Sequence, residues 1–199
     1  MTDAEIQRLR EKPASYLAEA IDLFCEMNGQ VIVEVGSMRQ RLSHPLGQVH
    51  PCCNDGHSSI LLAQTGREFH SVDIDPNCTA IVEETLRSFG LHESASAHTQ
   101  DGISFLSQFD GVIDLLFLDA WDIDTPGYAE KHLEAYRAAE DKLATRHLLL
   151  IDDTDVDYID GRLQFVDVAV AGKGRLLVPE LLDRGYELVR TGRQTLLAK

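Results

Sequence analysis

The feature that most constrains the fold is a regular alternation of short apolar runs with helical segments. Residues 30–36, QVIVEVG, are rich in valine and isoleucine, which is typical of a strand buried on both faces. Comparable runs recur at 68–75, 111–120 and 147–153, and amphipathic helical patterns separate them. Strands that alternate with helices in this way predict an α/β fold with a doubly wound, mostly parallel sheet.

The C-terminus adds an antiparallel feature to this pattern. Residues 186–191, YELVRT, and 193–199, RQTLLAK, are joined by a turn that contains glycine, so they predict a hairpin. Residues 154–174 carry no pattern that assigns them to an element. No linker or composition change divides the chain, and we therefore expect one domain over residues 1–199.

Composition and the N-terminal sequence narrow the classes of binding partner and the cellular compartment expected for this chain. Aspartate and glutamate total 33 against 18 lysines and arginines, a formal charge of -15. This balance disfavours nucleic acid and anionic membranes, because phosphate binding draws on concentrated lysine and arginine. The N-terminus lacks the apolar core of a signal peptide, so we expect a cytoplasmic protein with reduced thiols. Two of its cysteines, Cys25 and Cys78, are expected to be inert residues on apolar helix faces.

Polar residues end each strong strand. In doubly wound sheets, ligands bind at the carboxyl ends of the strands, near the point where the strand order reverses. Gly36 ends the first strand and would let a ligand approach the backbone, whereas Asp73 ends the second and could accept hydrogen bonds from a ribose diol. Because GSMRQR breaks the G-x-G-x-x-G fingerprint, a dinucleotide site is disfavoured and a nucleoside without phosphates remains compatible.

Residues 41–59, RLSHPLGQVHPCCNDGHSS, concentrate histidine and cysteine just after the first strand. A zinc site usually pairs cysteines two to four residues apart, but the two cysteines here are adjacent. We interpret the segment as a lengthened ligand loop, with a structural metal as the alternative. Its end, NDGHSS, places glycine and small polar residues at a helix start, where free backbone N–H groups could face a carboxylate. His57 is the loop residue expected to reach the site.

Five segments, taken in order, resemble the motifs of a known enzyme family. VIVEVGS, FHSVDIDPNCTAIVEETLRSFGL, HTQDGISFL, VIDLLFLDAWD and HLLLIDDT are similar to the successive motifs of class I S-adenosylmethionine-dependent methyltransferases. Within that class they resemble most the catechol O-methyltransferase-like small-molecule O-methyltransferases. The resemblance covers about residues 15–155 and implies a Rossmann-like, seven-stranded sheet with a C-terminal antiparallel hairpin. It also implies methyl transfer from S-adenosylmethionine to a small-molecule acceptor, through an oxygen of that acceptor.

The resemblance, together with the helix start at the end of the loop, implies a set of cofactor-binding residues. Asp73 would hold the ribose hydroxyls, Ile74 would contact the adenine, and Glu34 would border the methionine part. The full cofactor set is Glu34, Gly36, Ser37, Gly56, Ser58, Asp73, Ile74, Gln100, Asp101 and Asp119.

The resemblance also implies a divalent metal beside the acceptor. Asp119, Asp152 and Asp153 match the positions at which metal-dependent members hold Mg2+, and carboxylate oxygens are the ligands this ion prefers. Bound there, the ion would orient a hydroxyl and lower its pKa. Those members place a lysine base three residues after the first aspartate, whereas this chain has Asp122 there. We therefore expect Asp119 and His57 to be the catalytic residues.

Two other functions remain open at this point. One is a non-catalytic module that binds S-adenosylmethionine or another nucleoside, which Asp122 at the base position favours. The other is a NAD-dependent oxidoreductase, against which the missing glycine fingerprint and the closing hairpin argue. A chain this short has little room for a substrate domain, so a small acceptor is favoured over a macromolecule. A homodimer is compatible with the sequence.

Overall fold

The computed structural model describes residues 16–39, 58–166 and 168–199. Its main sheet has seven strands in the order β3-β2-β1-β4-β5-β9-β8. A separate antiparallel hairpin, β6-β7, follows β5. The strands are β1 Val31–Val35, β2 Glu68–Asp73, β3 Ala95–Thr99, β4 Ile113–Leu118, β5 Leu143–Ile151, β6 Val156–Ile159, β7 Arg162–Phe165, β8 Glu187–Arg190 and β9 Thr195–Ala198.

Helices connect the strands of the main sheet. Aspartates cap two of them: the Asp75 side chain accepts from Asn77 N at the start of α3, and that of Asp101 accepts from Ser104 N at the start of α4. The helices are α1 Leu17–Glu26, α2 Ser58–Ala63, α3 Pro76–Ser88, α4 Gly102–Gln108, α5 Tyr128–Ala139 and α6 Leu177–Asp183, with 3-10 turns at Glu140–Lys142 and Gly172–Gly174. No helix among the described residues is long and apolar enough to cross a membrane.

The core lies on both faces of the sheet. Alternate residues of β1 point to opposite faces, so Ile32 packs into one apolar cluster and Val33 into the other. Helix α1 covers the first face with Phe24, and α5 covers the second with Tyr136. Burial on both faces explains why the strands read as continuous apolar runs.

The strand order confirms the predicted fold class. β3, β2, β1, β4 and β5 are parallel neighbours, whereas β9 is antiparallel to both β5 and β8. The predicted C-terminal hairpin therefore places one antiparallel strand, β9, between β5 and the edge strand β8. Because β1 pairs with β2 on one side and with β4 on the other, the strand order reverses at β1. A crevice is expected at the carboxyl ends of these strands.

Two expectations about cysteines are wrong. Cys25 follows the buried Phe24 by one residue, which turns it about 100° around α1, and it is exposed. Cys78 is half-buried and lines the crevice at the strand ends. Helix α3 buries Thr79 and Val82 instead.

Candidate functional site

A crevice of about 1100 Å³ opens at the carboxyl ends of β1, β2, β4 and β5. Backbone hydrogen bonds hold the strand ends side by side: Gly36 N donates to Val72 O, Asp119 N to Val35 O, and Asp152 N to Leu118 O. Eight of the residues predicted for the site line this crevice, namely Gly36, Ser37, Asp73, Ile74, Asp101, Asp119, Asp152 and Asp153.

The other predicted site residues fall into two groups. Glu34, Ser58 and Gln100 are described but do not line the crevice. Gly56 and His57 fall outside the described residues, as does most of the histidine- and cysteine-rich segment. The interpretation of that segment as a ligand loop therefore stays a prediction.

Asp73 is fixed at the side of the crevice formed by β1 and β2. Its Oδ2 accepts hydrogen bonds from Ser37 N and Ser37 Oγ, both at 3.0 Å, and its Oδ1 accepts one from Asp75 N at 2.9 Å. A carboxylate has about four lone-pair sites and three are occupied here, so Asp73 keeps capacity for at least one further donor. Ile74, beside it, is 72% exposed although it is a large apolar residue.

Gly36 makes the close approach of the first strand to β4 possible. Its φ is +94°, and an added Cβ would lie 2.5 Å from Ala120 N. Any side chain would clash with the backbone there and would also strain a left-handed conformation. The glycine that the sequence placed at this turn is required by the packing.

Glu34 is buried below the crevice. Its Oε2 accepts hydrogen bonds from Ser59 Oγ at 2.6 Å and from Ser71 Oγ at 2.7 Å. Burial raises the pKa of Glu34, while these hydroxyls and that of Ser58 partly oppose the shift. Its role beside a bound methionine group stays a prediction.

Three carboxylates meet where β4 and β5 end. One oxygen of each of Asp119, Asp152 and Asp153 lies within 4.8 Å of the others. Burial and the nearby Asp119 raise the pKa of Asp152 to about 6, and burial also raises the pKa of Asp119. By spacing alone, this aspartate cluster (Asp119, Asp152 and Asp153) could hold a cation.

A lysine ammonium already lies in that position. Lys173 Nζ is 2.8 Å from Asp119 Oδ1, 2.8 Å from Asp119 O and 3.1 Å from Asp153 Oδ2. The Lys173 side chain is 1% exposed. A second cation, Arg193, reaches Asp153 Oδ1 with its guanidinium at 2.5 Å. Two basic side chains of the described residues thus compensate the negative charge of the aspartate cluster.

The sequence interpretation missed Lys173 because its segment, 154–174, carried no assignable pattern. The 3-10 turn Gly172–Gly174 presses against the end of β5, since an added Cβ at Gly172 would lie 2.0 Å from Asp153 O. Two glycines that flank a lysine, as in AGKGR, were the available signal. That signal shows a close backbone approach but not which residues the lysine meets.

The side of the crevice formed by β4 and β5 also has an apolar wall. Trp121, Ile123 and Val156 line it, and the hairpin contributes Leu163 and Phe165, which are 63% and 78% exposed. Trp121 has a positive φ of 49°, which is uncommon for a bulky residue. Apolar and carboxylate groups therefore stand next to one another on this side.

Asp122, at the position where the resembled family has lysine, forms an ion pair. Arg39 donates to its two carboxylate oxygens at 2.6 and 2.9 Å, and the pair lowers the pKa of Asp122. Arg39 thus pairs with a nearby carboxylate, and Asp122 is half-exposed but ion-paired.

Solved structures share this architecture at low sequence identity. The O-methyltransferase TomG from Streptomyces achromogenes, in complex with SAM, aligns with a TM-score of 0.61 and 15% identity over 100% of this chain and 90% of that chain. The methyltransferase PaMTH1 from Podospora anserina, bound to SAH, aligns with a TM-score of 0.61 and 15% identity over 100% and 88% of the two chains.

The fold is that of class I methyltransferases. A precorrin 8W decarboxylase from Methanobacterium thermoautotrophicum is also similar, with a TM-score of 0.51 and 16% identity over 91% of this chain and 88% of that chain. At these identities the likeness establishes the fold, and function has to be argued from the site. No family model and no curated protein matches the sequence.

Proposed function

We propose that this protein transfers the methyl group of S-adenosylmethionine to an oxygen of a small-molecule acceptor. The observation that carries the proposal is the crevice at the strand-order reversal, which joins a fixed carboxylate, Asp73, to the half-buried aspartate cluster. Solved proteins of the same fold that bind SAM or SAH support the choice of cofactor.

The cofactor is proposed to lie over the ends of β1 and β2. Asp73 would accept hydrogen bonds from the ribose hydroxyls, because Ser37 and Asp75 hold its carboxylate in place. Ile74 would pack against the adenine, which explains an apolar side chain left 72% exposed. Asp101, at the start of α4, would border the adenine edge.

The acceptor is proposed to lie over the ends of β4 and β5. Its apolar part would pack against Trp121 and Phe165, with its hydroxyl directed to Asp119 and Asp152. A carboxylate whose pKa is raised is a better proton acceptor near neutral pH. In the transfer, the hydroxyl proton goes to a carboxylate and the oxygen attacks the methyl carbon. The bond from that carbon to sulfur breaks, which leaves S-adenosylhomocysteine. Holding the reactants in line is the main requirement of such a step.

Charge supports a small acceptor over nucleic acid. Aspartates outnumber arginines among the described residues of the crevice. A phosphate backbone would be repelled there, because its binding needs concentrated cations. A metal-assisted form of the proposal fits less well, since Lys173 lies among the three carboxylates that would hold the ion.

Titration calorimetry with S-adenosylhomocysteine, paired with a methyl-transfer assay, tests the proposal. We expect binding, and Asp73→Asn should weaken it at least about tenfold, which corresponds to about 1.5 kcal/mol for hydrogen bonds to a charged group. Ser37→Ala is the matched control, because it removes one donor to Asp73 but keeps the carboxylate. Unchanged affinity in a folded Asp73→Asn variant would remove Asp73 from the cofactor site.

A second candidate is a non-catalytic module that binds S-adenosylmethionine. It is favoured by the Arg39–Asp122 ion pair, which stands where the resembled family places its lysine base. Tight cofactor binding without transfer to a broad panel of hydroxylated acceptors would support this candidate and exclude the enzyme.

A further inference from the structure

We propose that Lys173 is a built-in cation that replaces a divalent metal ion at the aspartate cluster, and that it acts as a positioning residue for Asp119. Its part in methyl transfer rests on the proposed function, whereas its occupancy of the cluster does not. The methyltransferase resemblance implied Mg2+ at these three aspartates, and the structure holds a side-chain ammonium among them instead.

The geometry leaves no room for both cations. An ammonium has three N–H donors, and Lys173 Nζ has three acceptors within 3.1 Å: two oxygens of Asp119 and one of Asp153. Mg2+ requires oxygens at about 2.0–2.1 Å and in near-octahedral arrangement. An ion that used Asp119 and Asp153 would have to displace the ammonium and would meet its positive charge.

The neighbouring carboxylates keep the buried lysine protonated. An isolated ammonium that is 1% exposed would be costly, so a buried lysine is stable only with close partners. Burial by itself lowers the pKa of Lys173, but the carboxylates of Asp119 and Asp153 outweigh it and raise the pKa above its ordinary value. With Arg193 as a second cation, three formal negative charges face two positive ones.

The backbone fixes the lysine in place. Lys173 N donates to Asp153 O at 3.2 Å, and Gly172 adopts a φ of +47° with almost no space beside its Cα. An added Cβ at Gly174 would lie 2.9 Å from Thr154 Cγ2. The turn is therefore tightly packed against the segment that follows β5, and this packing fixes the position of the ammonium.

This arrangement gives Lys173 an indirect role. Its ammonium donates to two oxygens of Asp119 and lies 3.1 Å from Asp153 Oδ2, and because the side chain is only 1% exposed it has no free face to offer a substrate. It holds the Asp119 carboxylate, which is 34% exposed, at the edge of the crevice. Asp119 would contact the acceptor, and Lys173 would set its position and charge.

Titration with Mn2+, followed by calorimetry and by the electron paramagnetic resonance of free Mn2+, tests the inference. Wild-type protein, stripped with EDTA and assayed without cofactor or acceptor, should show no stoichiometric Mn2+ site at about 1 mM Mn2+. At a concentration of this order only the weak binding of ordinary carboxylates is expected. Lys173→Gln should gain one site that binds at least about tenfold tighter than wild type, because Arg193 alone then faces the three carboxylates. Adding Asp153→Asn to that variant should abolish the gained site.

Lys173→Arg is the matched control. It keeps the positive charge and should gain no Mn2+ site, whereas a purely space-filling role would treat the two replacements alike. If Lys173→Gln folds only when Mn2+ is added, that result supports the inference. If it does not fold at all, the wild-type titration still decides.

One equivalent of Mn2+ bound by wild-type protein below about 1 mM, and lost in Asp119→Asn, would overturn the inference. This outcome is separate from failure of the proposed function. Absence of methyl transfer in a protein that binds no Mn2+ would refute the enzyme but leave Lys173 as the resident cation.

Discussion

The two halves of the crevice are built in different ways. The half over β1 and β2 uses neighbouring positions, since Asp73, Ile74 and Asp75 are consecutive, as are Gly36 and Ser37 at the end of the adjacent strand. The half over β4 and β5 joins Asp119 to Lys173, which is 54 residues away, and Asp153 to Arg193. The first half is formed mainly by neighbouring residues at two adjacent strand ends. The second half is formed by ion pairs between residues that only the tertiary structure brings together. The second half should therefore be far more sensitive to single changes in charge.

The largest expected effect comes from Lys173→Met. Removal of one member of a buried ion network leaves uncompensated charge and typically costs about 3–5 kcal/mol. We expect the free energy of unfolding to fall by this amount at pH 7, as measured by urea denaturation. A loss below about 1 kcal/mol would mean that the cluster is hydrated and that the two halves do not differ in this way.

A smaller loss is expected from Gly172→Ala. The added Cβ would lie 2.0 Å from Asp153 O in a left-handed conformation, so we expect about 2–3 kcal/mol of destabilisation. Gly161→Ala is the matched control, because its φ of +75° is equally strained while no atom lies within 4 Å. It should cost about 1 kcal/mol. Equal losses for the two variants, measured by denaturation, would show that the turn is not tightly packed against β5.

The stability of the half over β4 and β5 should also decrease in acid because of His132, whose ring packs edge-on against Trp121. Burial, and then the charge of Lys173, lower the pKa of His132 to about 3, whereas its unfolded value is about 6.5. The unfolded chain therefore binds a proton that the folded chain rejects. The contribution of His132 to the free energy of unfolding is therefore highest above pH 6.5 and decreases as the pH falls toward 3.

Between pH 6.5 and pH 5, His132 should account for a loss of about 2 kcal/mol. His132→Gln cannot titrate, so its free energy of unfolding should vary less with pH over this interval. Denaturant midpoints at the two pH values provide the measurement. The same pH slope in the variant and in wild type would assign the acid sensitivity to another group.

The smallest effect is expected from the exposed ion pair. Arg39 and Asp122 are 51% and 47% exposed, and such pairs contribute about 0–1 kcal/mol. Arg39→Ala should lower the free energy of unfolding by less than about 1 kcal/mol at low salt, and by less still at 0.5 M salt. A loss comparable to that of Lys173→Met would remove the distinction between the exposed and the buried pairs.

The sequence by itself determined the fold and the location of the crevice. Valine- and isoleucine-rich runs predicted strands buried on both faces, and the residues that follow them had to meet at one edge of the sheet. Gly36 and Asp73 were placed at the strand ends for this reason, because their positions depend on backbone conformation and strand order. Residue periodicity carries that information directly.

Only the tertiary structure decided how the aspartate cluster is balanced. Lys173 lies in a segment with no periodic pattern. Its partners, Asp153 and Asp119, follow two different strands and precede it by 20 and 54 residues. The same is true of Arg193, which the β8-β9 turn brings to Asp153. A sequence shows which charges a chain carries. Which of them are buried together depends on long-range packing, and burial decides whether a cluster of carboxylates takes an ion from solution or one from its own chain.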